Sequence, residues 1–370
     1  MASIRDRGTE HKASRFQARY RDPDGRQVSK SFRRKIDARR WLDETTADLV
    51  TGRYVSPRSG TVRLRDYATR WLNSQTFDPS TREGTERRLR LHVLPELGDI
   101  ELRNIKPSTV QSWLAGRGGA ASSTRIMLVN LSAILSAAVA DGLIASNPCD
   151  SPTVKPPATE KRLIVPWSSE IVQNVAESHD SRFRAIPVLG AGCGLRQGEV
   201  FGLQVEDIDF LKRRVLVRRQ VKIIEGVPVL AAPKGKRERE VPLPDVVAFE
   251  ISERMRVSPM GDTGQLFPWR DGSLIHRTYY NAQIWRPAVR AAGLTPSRET
   301  GMHQLRHYYA SAMLDGGASI RDVSEYLGHA DPGFTLRVYA HLMPSSEDRA
   351  RSIMDRALVE SSLNEDTGTD

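Results

Sequence analysis

At 370 residues the chain is long enough for two or three domains, and 39% hydrophobic with 27% charged residues is the composition of a soluble globular protein. A formal charge of +10 and a pI near 9.8 favour a polyanionic partner, nucleic acid before membrane. Two cysteines, Cys149 and Cys193, argue against a disulfide framework and for a reducing, intracellular setting; the charged N-terminus lacks an apolar signal core, and the longest uncharged apolar-rich run, Ile126 to Ala140, is too short and too polar to span a bilayer.

The charge is uneven. Residues 1–60 hold 15 Lys and Arg against 8 Asp and Glu, which reads as a phosphate-binding module, whereas residues 346–370 hold 3 against 7. From Arg15 to Arg21 the side chains alternate, with Phe16, Ala18 and Tyr20 on one face and Gln17, Arg19 and Arg21 on the other; "DPDG" marks a turn and "RQVSKSF" resumes extended character. From Ile36 the spacing turns helical, with Ala38, Trp41, Leu42 and Leu49 as core positions. A small sheet backed by one helix follows, its open face carrying Lys12, Arg15, Arg19, Arg21 and Lys30 toward DNA. "TGRYVSPRSG" reads as a linker.

Residues 62–150 are helical in pattern, in four stretches: "LRDYATRWLNS", "TREGTERRLRLHVLPELG", "KPSTVQSWLAG" and "SSTRIMLVNLSAILSAAVADGL". Pro107 suits a first turn and Gly142 a helix end. Arg82, Arg87, Arg88, Arg90 and Arg125 are the basic residues available to DNA here. The Pro-rich run "NPCDSPTVKPPATEKR" marks a second linker near 148–162, after which helices flank a β-rich centre, "RRVLVRRQVKIIEGVPVLAAPKGKREREVPLP". The expected division is therefore 1–60, 61–150, 160–345 and a tail, 346–370.

The third segment holds four unusual stretches. They are "GLRQGE", with Arg196 and Glu199; "APKGKREREVPLP", with Lys234 at an expected hairpin turn; "HQLRH", with His303 and Arg306 on one helical face that becomes apolar at Ala310 and Met313; and "LGH", with His329, followed ten residues later by Tyr339. A helical face that begins with an imidazole and a guanidinium needs an anionic partner. Alone, each stretch has an ordinary reading: a helical ion pair, a solvated Lys, a helix terminus, a core aromatic.

Together, in this order, they resemble the tyrosine recombinases, the family that includes phage-type integrases. The resemblance implies a multidomain α+β fold: a small three-stranded sheet plus helix for arm-type DNA sites, an all-helical core-type DNA-binding domain, and a mixed, mainly helical catalytic domain with a small antiparallel sheet. It implies a Tyr339 nucleophile that forms a 3′-phosphotyrosine link, with Arg196 and Arg306 on the scissile phosphate. His303 would be the base, Lys234 the acid for the leaving oxygen, and His329 a hydrogen-bond donor to the phosphate. Glu199 would orient Arg196 or a neighbouring His; Lys236 stands close enough to Lys234 to compete for its role. No cofactor and no metal are expected. The implied partners are double-stranded attachment-site DNA, a homotetramer on that DNA, a host DNA-bending protein and an excisionase, with no membrane, in the bacterial cytoplasm. The stripe Ile353, Met354, Ala357 and Leu358 would dock in cis or onto a neighbouring protomer.

Other chemistries fit less well. "HQLRH" spaces His303 and His307 like a zinc-binding helix, but Gln304 stands where a general base is needed. Asp207 and Asp209 of "EDID" would point to opposite faces of an extended segment, a poor arrangement for one shared ion. A DNA-binding regulator without catalysis would explain the basic N-terminus but not the Arg–Lys–His–Arg–His–Tyr order. A dimer-resolving recombinase shares the catalytic residues, but the basic first 60 residues favour an integrase that bridges arm and core sites.

Overall fold

Alternation in the first 32 residues builds the first sheet. In the computed structural model, β1 (Ser3–Asp6), β2 (Phe16–Arg21) and β3 (Gln27–Phe32) pair antiparallel in that order. The structure describes all residues except 1, 9–13, 23–24, 52–53, 57–58, 160–162, 258–259, 262–263, 343–350, 352–353 and 356–370. Two compact units result, 1–160 and 161–370.

Phe16, Ala18 and Tyr20 turn toward α1 (Lys35–Val50), where Ala18, Tyr20, Ala38 and Leu42 are buried together. Tyr20 meets the Trp41 ring edge-on at 5.4 Å, and its hydroxyl lies 2.7 Å from that of Tyr54. Arg19 and Arg21 pair with Ser29 and Gln27 on the opposite face. Lys30 departs from expectation. It lies directly opposite Ala18, so the pleat sends it to the helix side, where its ammonium sits 5.5 Å from the Phe32 ring and 5.8 Å from that of Trp41. Arg15 is held by Asp6 at 3.0 Å, and Lys12 lies outside the described residues.

The rest of this unit is helical: α2 (Leu64–Ser74), α3 (Pro79–Arg88), α4 (Pro107–Ala115) and α5 (Ala121–Ala140). By length and hydropathy α5 would qualify to cross a membrane, but Leu131, Ile134, Leu135 and Ala138 are fully buried in a core with Leu64, Val93 and Val110. α3 runs through one wide π turn, Leu89–Val93, into Leu94–Leu97. The cause is Pro95, which has no N–H for the carbonyl of residue 91 and whose ring would clash with it; widening the turn removes the clash. A second π turn, Asn281–Trp285, precedes Pro287 at the same spacing. Three of the basic candidates are engaged internally. Arg82 donates to Leu72 O and Asn73, Arg88 to Asn130 at 2.9 Å, and Arg125 to Pro157 O at 2.9 Å.

The second unit packs helices around two small antiparallel sheets. Its elements before the sheets are α6 (Ser169–Glu177), α7 (Ala185–Cys193) and α8 (Gln197–Gly202). The sheets are β4 (Ile208–Asp209), β5 (Arg214–Val217) and β8 (Arg239–Pro242) in order β4-β5-β8, and the hairpin β6 (Gln220–Ile224) with β7 (Val227–Ala231). The hairpin turn is Glu225–Gly226, both at positive φ. The expected hairpin at Lys234 is therefore corrected: β7 pairs with β6 and β8 with β5, so Lys234 lies on the passage between two sheets, in a short 3-10 turn, Lys234–Lys236. Asp207 is buried and accepts from Gln204 N and Arg218, which accounts for it without an ion.

Helices α9 (Asp245–Val257), α10 (Arg277–Tyr280), α11 (His303–Asp315), α12 (Ile320–Leu327) and α13 (Pro332–Tyr339) follow. α11 lies against α7 because Gly190 leaves room: a Cβ there would come within 2.9 Å of Leu305 Cδ1. Asp331 caps α13 by accepting from Gly333 N at 2.8 Å, with Pro332 in the first turn.

Candidate active site

Arg196 sits at the N-cap of α8, and the third helical residue, Glu199, is fully buried beneath it. Glu199 Oε1 accepts from Arg196 Nη1 at 2.8 Å and from Arg239 Nη1 at 3.0 Å; Oε2 accepts from Arg239 Nη2 at 2.7 Å and from the Arg196 amide at 2.9 Å. Burial pushes this carboxyl up, but the hydrogen bonds and charge of Arg239, then those of Arg196, outweigh it and hold the pKa at about 2. Glu199 thus stays ionised and fixes two guanidiniums at once. Arg239 was missed in the sequence because it lies inside a run of charges. The available signal was strand parity: Arg239 shares a face with Val241, which is fully buried.

Arg306 enters from α11 and is 1% exposed. Its Nη1 donates to Gly194 O at 2.8 Å; Nη2 donates to Leu327 O at 2.5 Å and lies 2.9 Å from His329 Nε2. Arg196 Nη2 donates to Gly328 O at 3.2 Å. The two guanidiniums therefore converge on consecutive carbonyls at the C-terminus of α12, where the helix dipole favours cations. Burial, then the neighbouring Arg196 charge, pulls the Arg306 pKa down to about 9, so it remains charged at neutral pH. Two guanidiniums bond one carboxylate and a third, Arg306, lies within its electrostatic reach, leaving an excess of positive charge suited to an anion.

His329 follows Gly328, whose φ of +64° ends α12. Its Nδ1 lies 2.8 Å from Thr335 Oγ1, and burial with the Arg306 charge lowers its pKa to about 3. Arg306 can only donate, so neutral His329 accepts at Nε2 and carries its proton on Nδ1, toward Thr335. In this arrangement Nε2 has no proton for a phosphate.

Tyr339 ends α13 and is 2% exposed, packed with Tyr309, Ala310, Leu314, Val323 and Leu327. Burial lifts its pKa to about 12, against the opposing pull of Arg306 and Arg196. Its hydroxyl lies 2.8 Å from Nδ1 of His307, a residue that the sequence had flagged only as the second His of a zinc-like spacing. Burial, then His303 and Arg306, lowers His307 to about 4, so it is neutral near pH 7. His303 is exposed; its ring centroid stands 4.6 Å from that of His307, and it lines a cavity of 360 Å³ with Gln197, Asn281, Arg286 and Arg298. Lys234 lines a separate cleft of 540 Å³ with Arg239, Arg321 and His329; Lys236 is absent from its walls. Among the described residues, no group of three or more His, Cys, Asp or Glu is placed to hold a metal. The DNA-facing candidates Arg15, Arg19, Arg21, Lys30, Arg87, Arg88 and Arg125 all belong to the first unit.

Comparison with known proteins adds three family matches along the chain. The phage integrase family matches residues 168–346, the phage integrase N-terminal SAM-like domain 63–116, and the phage integrase N-terminal domain 9–51. The chain is 28% identical over 364 residues to a putative prophage phiRv2 integrase of Mycobacterium tuberculosis, covering 93% of each protein. It is 25% identical over 350 residues to the integrase of Mycobacterium phage L5, covering 88% of this chain and 91% of that one. A tyrosine recombinase XerC of Chlorobaculum tepidum is 33% identical over 172 residues, 44% of this chain and 46% of the relative. Among solved structures, the Tn1549 transposon integrase in complex with a circular intermediate DNA has a TM-score of 0.69 at 20% identity, covering 80% of this chain and 99% of that one. A lambda integrase tetramer bound to a Holliday junction has 0.56 at 16%, covering 94% and 95%. At these identities the structural likeness is one of fold.

Proposed function

The chain belongs to the phage integrase family of tyrosine recombinases, and from that premise we propose that it cleaves and rejoins specific DNA sites through a 3′-phosphotyrosine intermediate. The observation that carries the catalytic assignment is the convergence of Arg196 and Arg306 on adjacent carbonyls beside His329. Each guanidinium has five N–H donors, more than these bonds use, and the planar fork suits the non-bridging oxygens of a phosphodiester as charge builds on them. Tyr339 Oη forms the new bond to phosphorus while the bond to the 5′ oxygen breaks. One phosphoester replaces another, so rejoining needs no nucleotide. Lys234 is our choice over Lys236 for protonating the leaving 5′ oxygen, because it shares its cleft with His329.

Residues 1–60 and 61–150 would bind arm-type and core-type DNA sites, with Arg19 and Arg21 on the open face of the first sheet. Chromosome or plasmid dimer resolution is the second reading, favoured by the XerC likeness over 172 residues; the N-terminal module favours integration and excision of mobile DNA. A homotetramer on DNA, a host bending protein and an excisionase complete the proposed machinery, working in the bacterial cytoplasm. Of the tail, only Arg351, Met354 and Asp355 are described, so the stripe with Ile353, Ala357 and Leu358 lies outside the described residues.

A nicked suicide DNA substrate tests the reading. The full chain should form an SDS-stable adduct in EDTA, and Tyr339→Phe should bind the same DNA with no adduct. An adduct from Tyr339→Phe, or one that requires metal, contradicts it.

A further inference from the structure

We infer that His307, not His303, takes the proton of the Tyr339 hydroxyl as the nucleophile attacks. The inference rests on the recombinase reading above. His307 is the imidazole that meets Tyr339 Oη at hydrogen-bond distance, 2.8 Å from Nδ1, while the His303 ring touches the His307 ring edge-on and opens to a cavity. Residues 303 and 307 are four apart on α11, so they share one helical face, with His307 half-buried and His303 exposed.

The surroundings determine what this imidazole does. The titratable and charged groups on it, among the described residues, are His303 and Arg306 from α11 and Tyr339 from α13. Burial, then His303 and Arg306, keep it neutral; the proposed transfer uses the tautomer with the ring proton on Nε2, in which Nδ1 accepts from the Tyr339 hydroxyl. A phosphodiester held by Arg306 brings negative charge next to His307 and strengthens it as a base. The base is therefore strongest when DNA occupies the site. As Oη bonds to phosphorus, its proton passes to His307 Nδ1, the bond to the 5′ oxygen breaks, and Lys234 Nζ protonates that oxygen. On rejoining, the 5′ oxygen bonds to phosphorus as Lys234 Nζ takes back its proton, the bond to Tyr339 Oη breaks, and His307 returns its proton to Oη.

The test is single-turnover adduct formation on the nicked substrate by the full chain, His307→Ala, His307→Asn and His303→Ala. Asn preserves an acceptor near the Nδ1 position but cannot take a proton, which separates holding the hydroxyl from deprotonating it. Both His307 variants should bind DNA normally and react at least about 10²-fold more slowly. The His307→Ala rate should keep climbing with pH through about 10 toward the raised Tyr339 pKa of about 12, and free imidazole should restore it near neutral pH. His303→Ala should keep the wild-type pH profile. Reaction of His307→Asn within about threefold of wild type, or the pH change appearing in His303→Ala instead, overturns the inference. If the wild-type chain forms no adduct, the recombinase reading has failed, not the choice of base.

Discussion

Glu199 shows how one buried side chain sets the chemistry of several. Its carboxylate is the counter-charge for Arg196 and Arg239, and Arg306 lies within reach of the same field. Glu199→Gln keeps the shape and leaves two part-buried guanidiniums, Arg239 and the more exposed Arg196, under-compensated. We expect a loss of about 3–5 kcal/mol in urea unfolding of the full chain, together with slower cleavage. The sign of the pH dependence follows from the depressed pKa of about 2 against an ordinary 4.5. The carboxylate's contribution is complete above about pH 4.5 and is lost as pH falls toward 2. His307 and His329 are bases held below 6.5, at about 4 and about 3. They cost nothing above pH 6.5, and stability falls below it as the unfolded chain binds protons that the folded chain refuses. Unfolding free energy measured from pH 7 to pH 3 should therefore decline in two stages, the imidazole stage first.

At this scale Arg196, Arg306 and Tyr339 were singled out by the order of motifs that resembles the tyrosine recombinases, each motif alone having an ordinary reading. His307 was not: it stands one position beyond Arg306, and the hydroxyl that gives it meaning is 32 residues away. Arg239 was concealed by its charged neighbours, although alternation with Val241 marked it as inward-facing.

Among elements, the C-terminus of α12 organises the site. Arg196 and Arg306 both donate to its last carbonyls, and the left-handed Gly328 turns the chain so that His329 faces Arg306. Gly328→Ala would strain a φ of +64° and bring Cβ within 3.1 Å of Arg239 Cδ. The expected cost is about 1–2 kcal/mol in thermal or urea unfolding, with cleavage slowed more than DNA binding because both guanidiniums shift. Periodicity predicted the helices and the first sheet well. It failed at Lys30 and Lys234 for one reason: strand register. Lys30 faces the helix because it lies opposite Ala18, and the Lys234 turn joins two sheets because β8 prefers β5. Pairing partners are a tertiary choice that alternation within one strand does not contain.

For the whole molecule, the N-terminal sheet and α1 have their own small core, built on Ala18, Tyr20, Ala38 and Leu42. Deleting residues 1–60 should abolish arm-site binding in a gel-shift assay while core-site cleavage remains largely intact; joint loss of both would show that the segments do not act separately. Two polar, Pro-containing linkers and the shift between period two and helical spacing are the grounds for proposing segments 1–60, 61–150 and 160–345; the structure divides into two compact units, 1–160 and 161–370.

In the proposed reaction a phenol oxygen on α13 and two guanidiniums from α8 and α11 act on one phosphodiester. Peptide mass spectrometry of the trapped adduct tests it most directly. Digestion should yield a nucleotide joined through its 3′ phosphate to the peptide containing Tyr339. Attachment at any other residue, or through a 5′ phosphate, would contradict it.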